Sequence, residues 1–384
     1  MRICVLTHNL HDDNGAGVFA GRVVHALEER LRAEVIVFTT IPGGARNERP
    51  ILRPQKKNFI SMLREIRRTM KTCDIVHVFD AYPYGVVAAI AAVGLRKKII
   101  LTAVGTGSVR HLYHRHILLT PLVRWAFRRA TVITAISRFT KGLITKHLPS
   151  LSIIVINPGV DYEKFSGAIG GSDADHHTIV KDSNGKEHSI ASLRPYLLSV
   201  GSVRWRKGYK RSLKSFILLQ RKFPALRYVI VGRTSWKKYY EELLGIIRTH
   251  HLEKVVFFLD QVNDIKILSA LYRSAEVFGL LSQDWGYDVE GFGLVFLEAA
   301  AAGVSVVGTT KSGAEDAVEE GKNGFLVPCE DEKAFAEAIA HILGNPTIQK
   351  NMSRESLAWA RKSAWDLRIQ EYVDLYRRIG YEKN

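Results

Sequence analysis

The stretch Glu290-Gly-Phe-Gly-Leu-Val-Phe-Leu-Glu-Ala-Ala-Ala-Ala-Gly303 decides how the chain is read. Gly291 and Gly293 leave the backbone bare, and Leu294 to Ala302 are good helix formers apart from Val295 and Phe296, so the pattern predicts a loop feeding a helix. A helix start uncovered by side chains offers free N–H groups and the positive end of its dipole to an anion. Phe292, Gly293 and Leu294 are therefore the expected seat of a phosphate. Glu290 lies just before that seat. Glu298 lies more than a turn inside the helix, among Leu, Phe and Ala, where a carboxylate needs donors. Ribose hydroxyls would supply them. The simpler reading, a surface helix with one polar residue, leaves the apolar flanks without a place to go.

Outward from this stretch, short apolar runs alternate with helical ones. Strands are expected at Arg2–Thr7, Glu34–Thr40, Ile75–Phe79, Lys98–Thr102, Val132–Ala135 and Ile153–Ile156, with helices near 18–31, 59–72, 84–94, 115–129 and 138–147. The alternation implies βαβ units on a parallel sheet. It restarts at Tyr196-Leu-Leu-Ser-Val200, and the basic loop Gly201-Ser-Val-Arg-Trp-Arg-Lys-Gly208 follows at the carboxyl end of that strand, where such folds bind ligands. In the first half the loop Asp12–Gly17 carries Gly15 and Gly17, and with Ala20 it fits a relaxed dinucleotide fingerprint. Against that, seven residues separate Thr7 from Gly15, and the second strand ends in Thr39-Thr40 without a ribose-binding acid.

Two glutamates with seven residues between them, around Phe-Gly and ahead of a small-residue helix, resemble the donor-site signature of retaining glycosyltransferases of the GT-B fold, family 4 in particular. Gly303–Gly308, Ser312–Asp316 and Gly321–Val327 continue the same pattern. The resemblance implies an α/β protein of two Rossmann-like doubly wound domains facing across a cleft, with a C-terminal helix crossing back to the first. It implies that Glu290 contacts sugar hydroxyls, that Glu298 holds the ribose, and that Lys207 grips the donor diphosphate. The family's arginine position is Ser202 here, beside Gly201, so Arg204 or Arg206 is expected to bring the second charge, Arg206 with the weaker claim. Val262 falls where the family holds the base. Gly15 and Gly17 match its first glycine-rich loop. Where many members carry a histidine at the reacting sugar, this chain has Val104, followed by Gly105 and Thr106; His111 is the nearest substitute. Retention of the anomeric centre and independence of a metal are further implications. No cofactor is expected beyond a nucleotide-diphosphosugar as co-substrate, a UDP- or GDP-sugar, with a lipid-linked or saccharide acceptor.

At 384 residues the chain suits two domains. The expected divisions are 1–165, a linker with a β-hairpin insert at 166–194 signalled by Asn184-Gly185, 195–364, and the returning helix 365–384. Three scattered cysteines make no disulfide framework or zinc spacing, no window reaches the roughly 18 apolar residues of a membrane span, and the first strand is too brief for a signal peptide. A cytoplasmic protein is expected. His111, His114 and His116, and Asp173, Asp175, His176 and His177, lack matching ligand spacing and read as solvated loop residues, so no metal is expected.

The net charge of +17 is uneven: residues 1–192 carry 27 basic and 15 acidic side chains, residues 193–384 carry 28 and 23. Residues 46–71 hold nine Arg or Lys against two Glu, and 110–129 hold five Arg and no acid. These two segments are expected to meet an anionic membrane at its inner face, with 59–71 as an interfacial helix, although a helix packed on a sheet shows the same period. No stacking module for nucleic acid is legible. A two-domain nucleotide-dependent oxidoreductase and a nucleic-acid-binding protein remain the alternatives.

Overall fold

The computed structural model describes residues 1–384 other than 13, 53–57, 115, 168–177, 261, 285–286 and 382–384. Asp173, Asp175, His176 and His177 lie outside the described residues. The chain divides into two compact units, residues 1–158 with 365–384, and residues 159–364.

In unit 1 the order is β1 (Arg2–Leu6), α1 (Gly15–Leu31), β2 (Glu34–Phe38), β3 (Glu48–Arg49), α2 (Phe59–Thr72), β4 (Ile75–Phe79) and α3 (Val86–Ala91). It continues with β5 (Lys98–Ala103), α4 (Thr106–Tyr113), α5 (Leu119–Arg129), β6 (Val132–Ala135), α6 (Arg138–Thr145) and β7 (Ile153–Val155). The seven strands form one parallel sheet, β3-β2-β1-β4-β5-β6-β7, whose order reverses between β1 and β4. Strands buried on both faces read as continuous apolar runs, which is why Ile75-Val-His-Val-Phe79 was legible as a strand.

Unit 2 opens with α7 (Tyr162–Phe165), the antiparallel pair β8 (Ile179–Lys181) and β9 (Glu187–Ser189), and α8 (Ile190–Leu193). There follow β10 (Tyr196–Val200), α9 (Tyr209–Lys222), β11 (Arg227–Val231), α10 (Lys237–Thr249), β12 (Val256–Leu259), α11 (Ile265–Arg273) and β13 (Val277–Gly279). The unit ends with α12 (Leu294–Ala301), β14 (Val306–Thr309), β15 (Gly324–Val327), α13 (Glu332–Leu343) and α14 (Pro346–Lys362). Its parallel sheet runs β12-β11-β10-β13-β14-β15 and reverses between β10 and β13. The last helix, α15 (Trp365–Tyr381), belongs to unit 1. There Trp365 stacks on Phe19 of α1 (ring centroids 6.0 Å apart), and the buried ring of His77 bonds to the Tyr376 hydroxyl and, at 2.7 Å, to Thr102. Burial lowers the His77 pKa to about 3, so this imidazole is neutral and structural.

The doubly wound architecture is as expected, and several local expectations are corrected. The first division lies at 158/159, not 165, because α7 packs into unit 2 with the buried Phe165 ring edge-on to Tyr272 (5.6 Å). The two crossings of the chain are tied together inside unit 2, where Val160 N donates to Ser363 O at 3.0 Å. The hairpin is no linker. Ser183 N donates to Phe258 O (2.8 Å) and the His188 ring meets Phe257, so it covers the β12 edge. Gly15 and Gly17 are not loop residues but the first turn of α1, capped by Asn14; a Cβ on Gly17 would stand 2.2 Å from His11 O. The helix foreseen at 84–94 begins as a π-turn, Ala81–Gly85, and α3 ends at Ala91; the one foreseen at 115–129 is α5 alone, preceded by the unforeseen α4.

The apolar stripe of α2 is spent on the core. Met62, Ile66 and Met70 are buried under the sheet, which leaves Ile60 as its exposed apolar residue. The packed-helix alternative holds there. Between α4 and α5 the reverse is found: Ile117 and Leu118 are 85% and 68% exposed. No helix among the described residues is long and apolar enough to cross a membrane.

Candidate active site

At the reversal between β10 and β13 the carboxyl edge of the unit 2 sheet carries a cluster of charges. The loop after β10 turns through one 3-10 turn, Trp205–Lys207, and Gly208 in the left-handed region (φ +68°) passes the chain into α9. A Cβ on Gly208 would lie 1.8 Å from Leu281 O. Gly201 has a different task. A Cβ there would stand 2.9 Å from Lys207 Cε, so the absent side chain is what lets the lysine lie flat on the strand end.

Lys207, buried, reaches Glu290 Oε2 at 2.6 Å; Arg206 Nη1 stands 2.7 Å from the same oxygen and the Ser282 hydroxyl donates to it at 3.0 Å. Arg206 Nε faces Asp288 at 3.2 Å and Arg204 faces it at 3.6 Å. The Arg206 nitrogens sit at ion-pair distance without the alignment of hydrogen bonds. Burial alone would raise the Glu290 pKa, but Arg206 and Lys207 outweigh it and hold the carboxyl at about 2. Burial pushes Lys207 down, and the attraction of Glu290 offsets only part of that. Arg206 is consumed by the two acids, whereas the Arg204 side chain is 32% exposed with its Nε buried and unpartnered, which favours Arg204 as the arginine available to a ligand. Ser202 is exposed beside it.

A carboxyl lowered from 4.5 to about 2 stabilises the fold fully above about pH 4.5, and that contribution is lost as the pH falls toward 2. In urea unfolding at pH 7, Glu290→Gln is expected to cost about 3–5 kcal/mol, the range for breaking a buried ion pair. Below pH 4.5 the gap from wild type narrows; a gap independent of pH would show that Glu290 is not held ionised.

α12 begins as read from its sequence. Gly293 caps it with φ +85°, Phe292 is buried, and Gly313 packs on the backbone of Gly291 and Phe292, where a Cβ would meet Phe292 N at 2.3 Å. No side chain caps this helix start, so the amides ahead of Phe296, whose N–H goes to Gly293 O at 3.0 Å, can turn to an anion. One turn deeper Glu298, half-buried, accepts the Tyr272 hydroxyl at 2.7 Å. Burial raises its pKa against that bond and the charge of Lys207. Tyr272 was not foreseen: nothing in the apolar pattern of α11 marks its hydroxyl. Val262 is half-buried in the loop between β12 and α11.

In unit 1 the expected acceptor residues take different places. Gly105 (φ +149°) precedes α4, Thr106 opens it, and His111 lies in its last turn, edge-on to Tyr82 with ring centroids 4.3 Å apart. Burial, then Arg110 and the neighbouring histidines, lower the His111 pKa. The organiser of this loop is Asp80, also unforeseen. It holds φ +76° at the end of β4, accepts from Val104 N (3.0 Å) and Ser108 Oγ (2.7 Å), and stands where a Cβ on Gly107 would be 2.7 Å away. His8, at the end of β1, bonds to the Tyr84 hydroxyl at 2.9 Å, which in turn meets Thr40 at 3.1 Å. Asp80 and His8, at strand ends beside the β1/β4 reversal, were findable by the switch-point rule.

Comparison with known proteins points the same way. The model of the family Glycosyl transferases group 1 matches residues 180–359, and that of Glycosyltransferase Family 4 matches 13–164. A GDP-mannose-dependent alpha-(1-6)-phosphatidylinositol monomannoside mannosyltransferase of Mycolicibacterium smegmatis is 29% identical over 62% of this chain and 61% of its own. An N-acetyl-alpha-D-glucosaminyl L-malate synthase of Bacillus anthracis is 25% identical over 80% and 74%. The chain thus spans about three fifths to three quarters of these relatives. Among solved structures, Anabaena HepE in complex with UDP-glucose superposes with a TM-score of 0.78 at 18% identity, covering 98% of this chain and 100% of that one. WaaG, a glycosyltransferase involved in lipopolysaccharide biosynthesis, gives 0.74 at 17%, covering 97% and 99%. The oxidoreductase and nucleic-acid readings gain no support from these likenesses. With one family model on each half of the sequence and the fold shared end to end, the chain belongs to glycosyltransferase family 4 and has the GT-B fold.

Proposed function

We propose that the protein transfers a hexose, with retention and without a metal, from a nucleotide-diphosphosugar to a hydroxyl of a lipid-linked or saccharide acceptor. The observation that carries this reading is the convergence, at one sheet reversal, of Lys207, Glu290 and the bare start of α12, with Glu298 one turn deeper. As the sugar leaves, negative charge grows on the diphosphate. Lys207, Arg204 and the α12 amides are donors set in advance for it. In this scheme Glu290 orients sugar hydroxyls and Glu298 accepts from the ribose. The leaving phosphate takes the acceptor proton on the same face, which preserves the anomeric configuration. Turnover of a panel of UDP- and GDP-sugars, followed by release of the nucleoside diphosphate, tests it. One sugar nucleotide is expected to be consumed at the same rate in excess EDTA, and a rate abolished by EDTA would refute independence of a metal.

The acceptor reading extends to a membrane surface. Ile117 and Leu118 are exposed on a stretch of chain that also exposes Arg110 and Arg128, so it offers apolar and cationic side chains together. In liposome sedimentation the protein is expected to pellet with anionic vesicles and not with neutral ones. Ile117→Asp with Leu118→Asp should weaken that binding about tenfold or more, since each apolar side chain withdrawn from water is worth about 1.5–3 kcal/mol. Equal, negligible binding to both vesicles would end the idea.

A further inference from the structure

The amino edge of the unit 2 sheet carries a cleft that sugar transfer does not use. Its walls are the turn from α11 into β13, the turn from α12 into β14, and one face of α14. Its volume is about 320 Å³, enough for a ligand of monosaccharide size. The strands run parallel, so this edge lies across the sheet from Lys207 and Glu290 at the carboxyl edge.

Exposure falls from the rim of the cleft to its floor. Pro346 and Lys350 are exposed, Glu276, Gln349 and Ser353 are half-buried, and Ser305 is 2% exposed. Arg194 reaches Glu276 Oε1 at 2.9 Å and compensates its charge. Gln349 Nε2 donates to the Glu276 backbone carbonyl at 3.1 Å and to its Oε2 at 3.2 Å, which leaves that amide its own carbonyl oxygen. The Ser305 hydroxyl is buried without a hydrogen-bond partner, a costly state for a group that both donates and accepts. The deeper part of the cleft thus presents hydroxyls and acceptors with no uncompensated charge. Sugar and polyol hydroxyls, which donate and accept at one atom, match it. No aromatic side chain among the described residues lines the cleft, so a nucleobase would find nothing to stack on.

The rim has the opposite character. Lys350 makes no ion pair among the described residues, and α14 starts at Pro346 without a side-chain cap. An ammonium one turn inside an open helix start favours a negative group. We propose that this cleft binds a small phosphorylated polyol of hexose size or less, with the phosphate at Lys350 and the start of α14 and the hydroxyls on Glu276, Gln349, Ser353 and Ser305. The site is distinct from the donor site and does not depend on the donor reading.

Calorimetric titration of the full chain with glucose 6-phosphate, mannose 6-phosphate and glycerol 3-phosphate tests the proposal, with the parent alcohols and inorganic phosphate as separate arms. One ester is expected to bind at least about tenfold tighter than both its parent alcohol and inorganic phosphate, because a charge-assisted contact adds to the hydroxyl contacts. Its binding is expected to persist in excess UDP or GDP. In Lys350→Glu it is expected to weaken about tenfold or more, while sugar transfer stays at the wild-type rate, the position being exposed and on the far edge of the sheet. Inorganic phosphate binding as tightly as every ester, or the parent alcohols doing so, would overturn the assignment. So would displacement of the ester by UDP or GDP, an unchanged affinity in Lys350→Glu, or no binding of any ester. A protein inactive on every sugar nucleotide would refute the donor reading and leave this test intact.

Discussion

Lys207→Ala is expected to lower kcat/KM for sugar transfer by at least about 100-fold, the usual loss when one preset transition-state donor is removed. The ammonium is placed by three independent features: the missing side chain of Gly201 beneath it, the Glu290 carboxylate 2.6 Å from Nζ, and the left-handed Gly208 that turns the chain directly afterwards. Alanine removes a cation from the diphosphate and leaves Glu290 to Arg206 and the Ser282 hydroxyl, so the carboxylate loses its shortest contact. Lys207→Arg is expected not to restore activity. A planar guanidinium does not fit the channel over Gly201, whose Cα side already lies against the lysine stem. Steady-state kinetics on the preferred donor checks both variants, and wild-type rates in Lys207→Ala would mean that the site is misplaced.

The second large effect is expected at Glu298. Glu298→Gln keeps the volume of the side chain and a carbonyl oxygen for the Tyr272 hydroxyl, but replaces an acceptor-only carboxylate by a group that must also donate. Transfer should fall at least about 100-fold, with nucleoside diphosphate affinity falling alongside it, because a ribose contact acts on binding as well as on the chemical step. Tyr272→Phe separates the local role from the ligand role. It removes the internal donor and leaves both carboxylate oxygens for the ribose, so it should cost less than tenfold. A Tyr272→Phe loss as large as that of Glu298→Gln would make the glutamate a structural residue.

How far these groups could be read from the sequence depended on the range of the interactions. The start of α12 was legible because Gly293 and the apolar run behind it are neighbours in the chain. The strands were legible because parallel strands buried on both faces carry unbroken apolar runs. The helix α4 was hidden by Gly105 and Gly107, poor helix formers; Gly105 turns the chain with φ +149°, and at Gly107 Asp80, more than twenty residues away, occupies the space a Cβ would need. The pairing of Arg206 with Asp288 and Glu290, and of Tyr272 with Glu298, likewise crosses long separations that no periodicity records. In α2 the period itself was correctly seen, but a 3.6-residue stripe is the same whether it faces a sheet or a lipid surface. Its burial decided the matter, and Ile117 and Leu118, two apolar residues in a loop with no period at all, became the exposed pair.

The most direct test of the shared site is a crystal structure of the protein with its nucleoside diphosphate bound. The diphosphate is expected within hydrogen-bond distance of Lys207 Nζ and the amides at Gly293 and Leu294, with the ribose hydroxyls on Glu298. A diphosphate bound away from the β10/β13 reversal, with the Lys207–Glu290 pair undisturbed and Glu298 bonded to Tyr272 alone, would contradict it.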